Sequence, residues 1–168
     1  AVMNAAGEVS RTSYEGTSLT NNQYGRPTSV AIPGGSTSGF SYWGGNDVEA
    51  PPCEDSSKAN QGGLQSVSKD PDSQTGAATG LETKYWYNEA GQTVALQLGQ
   101  GSPVCNSYDD AGRITSTHQG DGDSAAFTEI DYEFEGNPLI TQITQSMGDG
   151  KTTATSTVEV DLAGRKVR

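Results

Sequence analysis

One short phrase recurs along this chain and constrains its fold more than any other feature. Tyr108-Asp109-Asp110-Ala111-Gly112-Arg113 is the fullest copy, with Tyr87-Asn88-Glu89-Ala90-Gly91-Gln92, Tyr132-Glu133-Phe134-Glu135-Gly136-Asn137 and Val160-Asp161-Leu162-Ala163-Gly164-Arg165 beside it. Met3 to Val9, around Gly7, has the same skeleton, and Asn21 to Pro27, around Gly25, is a weaker version. Successive glycines lie 18 (Gly7 to Gly25), 21 (Gly91 to Gly112), 24 (Gly112 to Gly136) and 28 (Gly136 to Gly164) residues apart. The gap from Gly25 to Gly91 is 66, and Tyr42-Trp43-Gly44-Gly45-Asn46 within it reads as an eroded copy. A loose period of this length points to a repeat architecture whose loops absorb insertions while strand register is kept.

Each copy follows an alternating stretch. Ile130, Tyr132 and Phe134 alternate with Asp131, Glu133 and Glu135, and Val158, Val160 and Leu162 alternate with Glu159 and Asp161. A period of two with aromatic and β-branched residues on one face predicts half-buried strands, here extending through Glu135 in the third copy. The glycine then reads as a turn position with positive φ, and the preceding acid or amide as an acceptor for the turn's backbone N–H groups. Gln92 to Leu98, Ile114 to His118 and Leu139 to Ile143 read as returning strands, and Gly/Pro/Asp clusters such as Ile32-Pro33-Gly34-Gly35 as the looser turns between units. No stretch has helical periodicity. The expected fold is all-β, a meander of antiparallel hairpins forming one continuous curled sheet.

The Tyr-Asp-x-x-Gly-Arg phrase resembles the YD repeat of bacterial Rhs proteins, teneurins and the shell components of insecticidal toxin complexes. Tyr108-Asp109 through Gly112-Arg113 matches every fixed position, while the copies at Tyr87 and at Val160 to Arg165 depart at one or two. The likeness covers roughly 80–168 well and 1–45 tolerably. In that family hairpins line up into a long sheet that spirals into a hollow shell, so the resemblance implies a structural wall. It also implies a longer polypeptide, consistent with a chain that starts and stops inside a repeat. Three segments are expected: degenerate repeats over 1–45, an irregular Pro/Gly/Ser-rich loop or insertion over 46–80, and clearer repeats over 81–168. Family members often carry a self-cleaving Asp-Pro segment, but Asp70-Pro71 lies upstream of the clearest copies without the surrounding pattern, so no cleaving aspartate is carried over.

Composition opposes an ordinary globule. Leu, Ile, Val and Phe supply 25 of 168 residues, and the formal net charge is −11, a combination typical of disorder. The 12 aromatic residues at strand positions and the regularly spaced glycines outweigh that prior, because a thin sheet needs less core than a globule. Acidity argues against a nucleic-acid footprint or binding to an anionic membrane surface, and no apolar run is long enough to cross a bilayer as a helix. Cys53 and Cys105, 52 positions apart, read as one disulfide pinning the irregular middle to the array, with two independent buried thiols as the alternative. The pairing presumes a secreted or cell-surface location.

Catalytic chemistry is thinly represented, and no enzyme, cofactor or metal site is expected. His118 is the only histidine, and the cysteine spacing is no zinc motif. Gly35-Ser36-Thr37-Ser38-Gly39 puts threonine where a nucleophile elbow needs serine. Asp131, Glu133 and Glu135 are spaced for paired-acid chemistry, yet read first as a solvated strand face. Asp121-Gly122-Asp123-Ser124 lacks the rest of a calcium loop. Trp43 and Trp86, flanked by tyrosines, suggest an alternative function as stacking platforms for sugar rings, against packing within the sheet. The YD resemblance supports glycan contact modestly. The residues expected to carry the architecture are the turn glycines Gly7, Gly25, Gly91, Gly112, Gly136 and Gly164, with Tyr87, Tyr108 and Tyr132 filling the space between turns. An isolated segment exposes open sheet edges, so flanking repeats or further copies are the expected partners.

Overall fold

A computed structural model describes residues 2–3, 9–18, 23–44, 50–53, 64–120, 125–148 and 153–167. The chain divides into two compact units, Ala1–Gly101 and Ser102–Arg168. Both are antiparallel meanders in chain order, and the only helical element among the described residues is one 3-10 turn at Phe134–Gly136.

In the first unit the strands are β1 (Val2–Met3), β2 (Val9–Tyr14), β3 (Thr17–Ser18), β4 (Gln23–Tyr24), β5 (Pro27–Ala31), β6 (Thr37–Tyr42), β7 (Gln65–Lys69), β8 (Glu82–Tyr87) and β9 (Thr93–Leu98). The order β1-β2-β5-β6-β7-β8-β9 is sequential except that β3 and β4 form their own two-stranded ribbon between β2 and β5. In the second unit β10 (Val104–Tyr108), β11 (Ile114–Gln119), β12 (Ala126–Asp131), β13 (Ile140–Met147) and β14 (Thr153–Glu159) follow in order. Thr, Ser, Val and Tyr dominate these strands, residues that suit a pleated, half-exposed surface.

The core is thin. Pro51, Trp86, Ala95 and Ala125 are the buried apolar residues among those described. Trp86 stands directly opposite Ala95 on the neighbouring strand, so a large ring lies over the smallest side chain available. Cross-strand pairs and ladder hydrogen bonds therefore hold the sheet where a globule would use a packed interior, which explains how so few aliphatic residues suffice.

Several local expectations are corrected. In the third copy β12 ends at Asp131, so Tyr132 lies in the corner and Phe134 opens the 3-10 turn, where Glu135 has φ 56° and Gly136 φ 75°. Asp131, Glu133 and Glu135 consequently do not share a strand face. The Asp131 carboxylate instead accepts the Glu133 backbone N–H at 2.9 Å, bending the chain out of the strand. Within 46–80, expected to be irregular, Gln65–Lys69 is a regular strand paired on both sides. The Asp70–Leu81 connection is built around Asp72, whose side chain accepts the N–H groups of Gln74 and Thr75 at 3.0 and 2.8 Å. Gly7 and the Asp121–Ser124 loop lie outside the described residues. Cys53 and Cys105, the chain's only cysteines, are both disulfide-bonded, so the expected bridge is present and the independent-thiol alternative falls.

Candidate functional site

The repeated corners are the most elaborated places in the fold. At Asp109–Arg113 the Gly112 N–H donates to Asp109 O at 2.9 Å and the Asp109 N–H to Arg113 O at 2.9 Å. This is a type I turn closed by a glycine bulge, the geometry a three-residue hairpin loop favours. Gly112 has φ 78° and the equivalent Gly164 has φ 74°. Nothing lies within 4 Å of where a Cβ on Gly164 would stand, so backbone conformation and not crowding demands glycine there. Gly25, Gly91 and Gly136 also have positive φ.

The acid works as a clamp. Asp109 Oδ1 accepts the Arg113 N–H at 2.8 Å while Oδ2 accepts Arg113 Nε–H at 2.7 Å. Asp161 holds Arg165 in the same way at 2.9 and 2.7 Å. In the second copy Asn88 accepts the Gln92 N–H at 2.9 Å, and its amide donates to Gln92 Oε1 at 2.7 Å, a neutral version of the clamp. These bonds favour ionised carboxylates. The Arg113 backbone N–H above all holds Asp109 below the usual carboxylate range, and the Arg165 side chain does so for Asp161.

A corner missed in the sequence has the same parts. Tyr14-Glu15 and Gly25-Arg26 are two halves of one phrase, separated by the β3–β4 ribbon. Glu15 N–H donates to Arg26 O at 2.9 Å, and the Glu15 carboxylate takes a forked pair of bonds from the Arg26 guanidinium and the Tyr24 N–H at 2.8 Å. Hydrogen bonding to Arg26 lowers the Glu15 pKa to about 2. Tyr42-Trp43 and Leu64 form a further such corner, with the Trp43 N–H donating to Leu64 O at 2.9 Å. The register confirms the equivalence: Tyr14, Tyr42, Tyr87 and Tyr108 pair with Pro27, Gln65, Thr93 and Ile114, each just past a register shift. A search for contiguous phrases could not see this, since insertion had split the halves.

Arginine and tyrosine then join one corner to the next. The Arg26 guanidinium lies 4.3 Å from the Tyr42 ring centroid, and Tyr42 OH donates to Pro27 O at 2.7 Å. In the second unit Arg113 lies 4.2 Å from the Tyr132 ring centroid, and Tyr132 OH donates to Ile114 O at 3.0 Å. In both cases the tyrosine falls three steps beyond a recorded cross-strand pair, Ser29–Gly39 or Ser116–Glu129, and so opposite the arginine. Each guanidinium is gripped edge-on by its acid and covered on its face by the following tyrosine. Burial raises the Tyr42 pKa and, at the other corner positions, those of Tyr87 and Tyr108, keeping these phenols protonated.

The tryptophans occupy a different place. Trp86 is 5% exposed, so its ring presents no face to a sugar. Trp43 Nε1–H donates to Tyr85 O at 3.1 Å. Both rings, with Ser66, Val67 and Lys84, line a cleft of about 240 Å³. His118 stacks on its cross-strand neighbour Phe127 at 5.9 Å, a packing contact. Among the described residues no three His, Cys, Asp or Glu side chains gather as a metal site, and no helix is long and apolar enough to cross a membrane. No protein-family model matches the chain, and no curated protein matches it either.

Proposed function

We propose that this chain is a non-catalytic structural segment, a stretch of wall in a secreted or cell-surface YD-repeat protein, whose task is to build and lock a β-sheet. The observation that supports the reading is the recurrence of one linked unit, acid–arginine–tyrosine–carbonyl, at Glu15–Arg26–Tyr42–Pro27 and Asp109–Arg113–Tyr132–Ile114. Its polar groups bond to one another and to the backbone, an arrangement that serves rigidity. The disulfide is compatible with an oxidising location outside the cytosol. Cell fractionation with non-reducing electrophoresis tests the location: an oxidised protein outside the cytosol is expected, and a reduced cytosolic protein overturns it. Electron microscopy of the concentrated protein tests the role, with sheet-like or shell-like assemblies expected. Uniform small particles that turn over a substrate in a hydrolase panel sink the structural reading.

Glycan binding through the tryptophans has weaker support, because Trp86 is covered. Titration with a glycan panel is expected to leave tryptophan fluorescence unchanged, and a shift abolished by Trp43→Ala reinstates that function.

A further inference from the structure

Trp43 and Trp86 differ in one respect that packing leaves unexplained. Both line the cleft of about 240 Å³ in the first unit, with Ser66, Val67 and Lys84. The Trp43 Nε1–H is spent on Tyr85 O at 3.1 Å, a bond that ties its ring to β8. The Trp86 Nε1–H is buried and has no acceptor among the described residues. A buried donor without a partner is a standing cost that folded chains avoid. Lys84 and Trp86 stand two apart on β8 and so share one face, and Val67 of β7 pairs directly with Lys84 on that face. The Lys84 ammonium is only loosely held. Its side chain is 47% exposed and lies 3.8 Å from Glu82 Oε1, while the other oxygen of Glu82 takes Lys69 at 3.0 Å.

We propose that this cleft binds a small aromatic carboxylate. One carboxylate oxygen accepts the Trp86 Nε1–H, the other meets the Lys84 ammonium, and the ligand's ring lies against Val67 and the Trp43 indole. Three features select that class. An indole N–H and an ammonium are both donors, so the ligand must bring acceptors, and a cation is rejected. A charged acceptor is favoured, because a charge-assisted bond beside Lys84 repays desolvation better than a neutral one. Val67 and Trp43 offer apolar walls to a flat body. A cavity of about 150 Å³ already takes benzene, so 240 Å³ has room for one ring and a carboxylate. Trp86 is 5% exposed, so the contact is to its N–H from within the cleft and not to its ring face, which separates this site from a sugar-stacking platform. The site goes beyond the wall reading and does not depend on it.

Phenylacetate is the probe, with phenylacetamide as its neutral counterpart and phenethylamine as the cation. The chain has 2 tryptophans, both in this cleft, so indole N–H signals in heteronuclear NMR report on the site alone. Phenylacetate is expected to move the Trp86 indole N–H resonance downfield with a Kd of about 0.1–10 mM, the range for a ligand of this size. Trp86→Phe, or Trp43→Phe should that variant fail to fold, tells the two signals apart. Lys84→Met, at a half-exposed position, is expected to weaken binding about threefold to tenfold, and Trp86→Phe about tenfold or more. Phenylacetamide is expected to bind more weakly than phenylacetate, and phenethylamine not at all. Indole resonances that phenylacetate leaves unmoved well above that concentration range overturn the proposal. A response shared equally by the amide and the amine, or one that Lys84→Met leaves unchanged, shows an apolar cleft without carboxylate recognition and overturns it as well. None of these outcomes touches the assemblies that test the wall reading.

Discussion

Glu15 shows how a single residue is committed by this fold. Its carboxylate serves four donors across the β2–β5 corner, and its pKa falls to about 2. A carboxylate whose folded pKa lies below its unfolded value contributes stability that is complete above the unfolded pKa, near 4.5. That contribution is lost as pH falls from there through about 2. Glu15→Gln is therefore expected to lower the denaturation midpoint most at neutral pH, with wild type and variant converging toward pH 2. Parallel stability curves across that window contradict the clamp. Gly112 is committed by its backbone instead. At φ 78°, Gly112→Val is expected to cost about 1–3 kcal/mol in chemical denaturation, since a β-branched residue resists the left-handed region. An unchanged midpoint contradicts the turn.

Elements in this protein are defined by their corners more than by their strands. The strands are built largely from Thr, Ser and Val, whereas the corners at Tyr14, Tyr87 and Tyr108 each fix a register shift, a positive φ and a clamped side chain together. Insertions accordingly fall inside corners: the β3–β4 ribbon lies between Tyr14-Glu15 and Gly25-Arg26, and 44–63 lies between Tyr42-Trp43 and Leu64. The opposite turns are less uniform, though not unstructured. In the Asp70–Leu81 connection a Cβ on Gly80 would stand 2.7 Å from both Asp70 O and Pro71 O. Gly80→Ala is thus expected to destabilise the first unit by about 1–3 kcal/mol, the usual range for overpacking, with faster amide exchange in β7 and β8. A neutral result shows that the loop can give way.

Over the whole molecule, stability comes from ladders, corner links and one cross-link. The 52-position span between Cys53 and Cys105 makes the disulfide a large constraint on the unfolded chain. Its reduction is expected to cost about 4 kcal/mol by loop-closure entropy, read as the drop in unfolding free energy with and without reductant. A drop below about 1 kcal/mol means the bridge constrains little that the unfolded chain was free to explore. With Pro51, Trp86, Ala95 and Ala125 as the buried apolar residues described, few side chains stand ready to compensate for its loss.

Much of this was legible before any coordinates. Period-two alternation carried the all-β class, because side chains on a strand must alternate between faces. Recurrence carried the turn glycines and the capping acids, because a hairpin corner uses only a few residues in fixed order. The third copy misled, because Asp131 and Glu133 continue the alternation while their local hydrogen bond bends the chain away from the strand. Beyond reach were relations between residues distant in sequence. The sequence holds Tyr14 and Gly25, or Tyr42 and Leu64, without marking them as partners, and only folding brings them to one corner. The stacking of Tyr42 on Arg26 and of Tyr132 on Arg113 follows from register between neighbouring strands, and register is decided when the strands pair. Local chemistry is written residue by residue; which corner locks to which is decided in three dimensions.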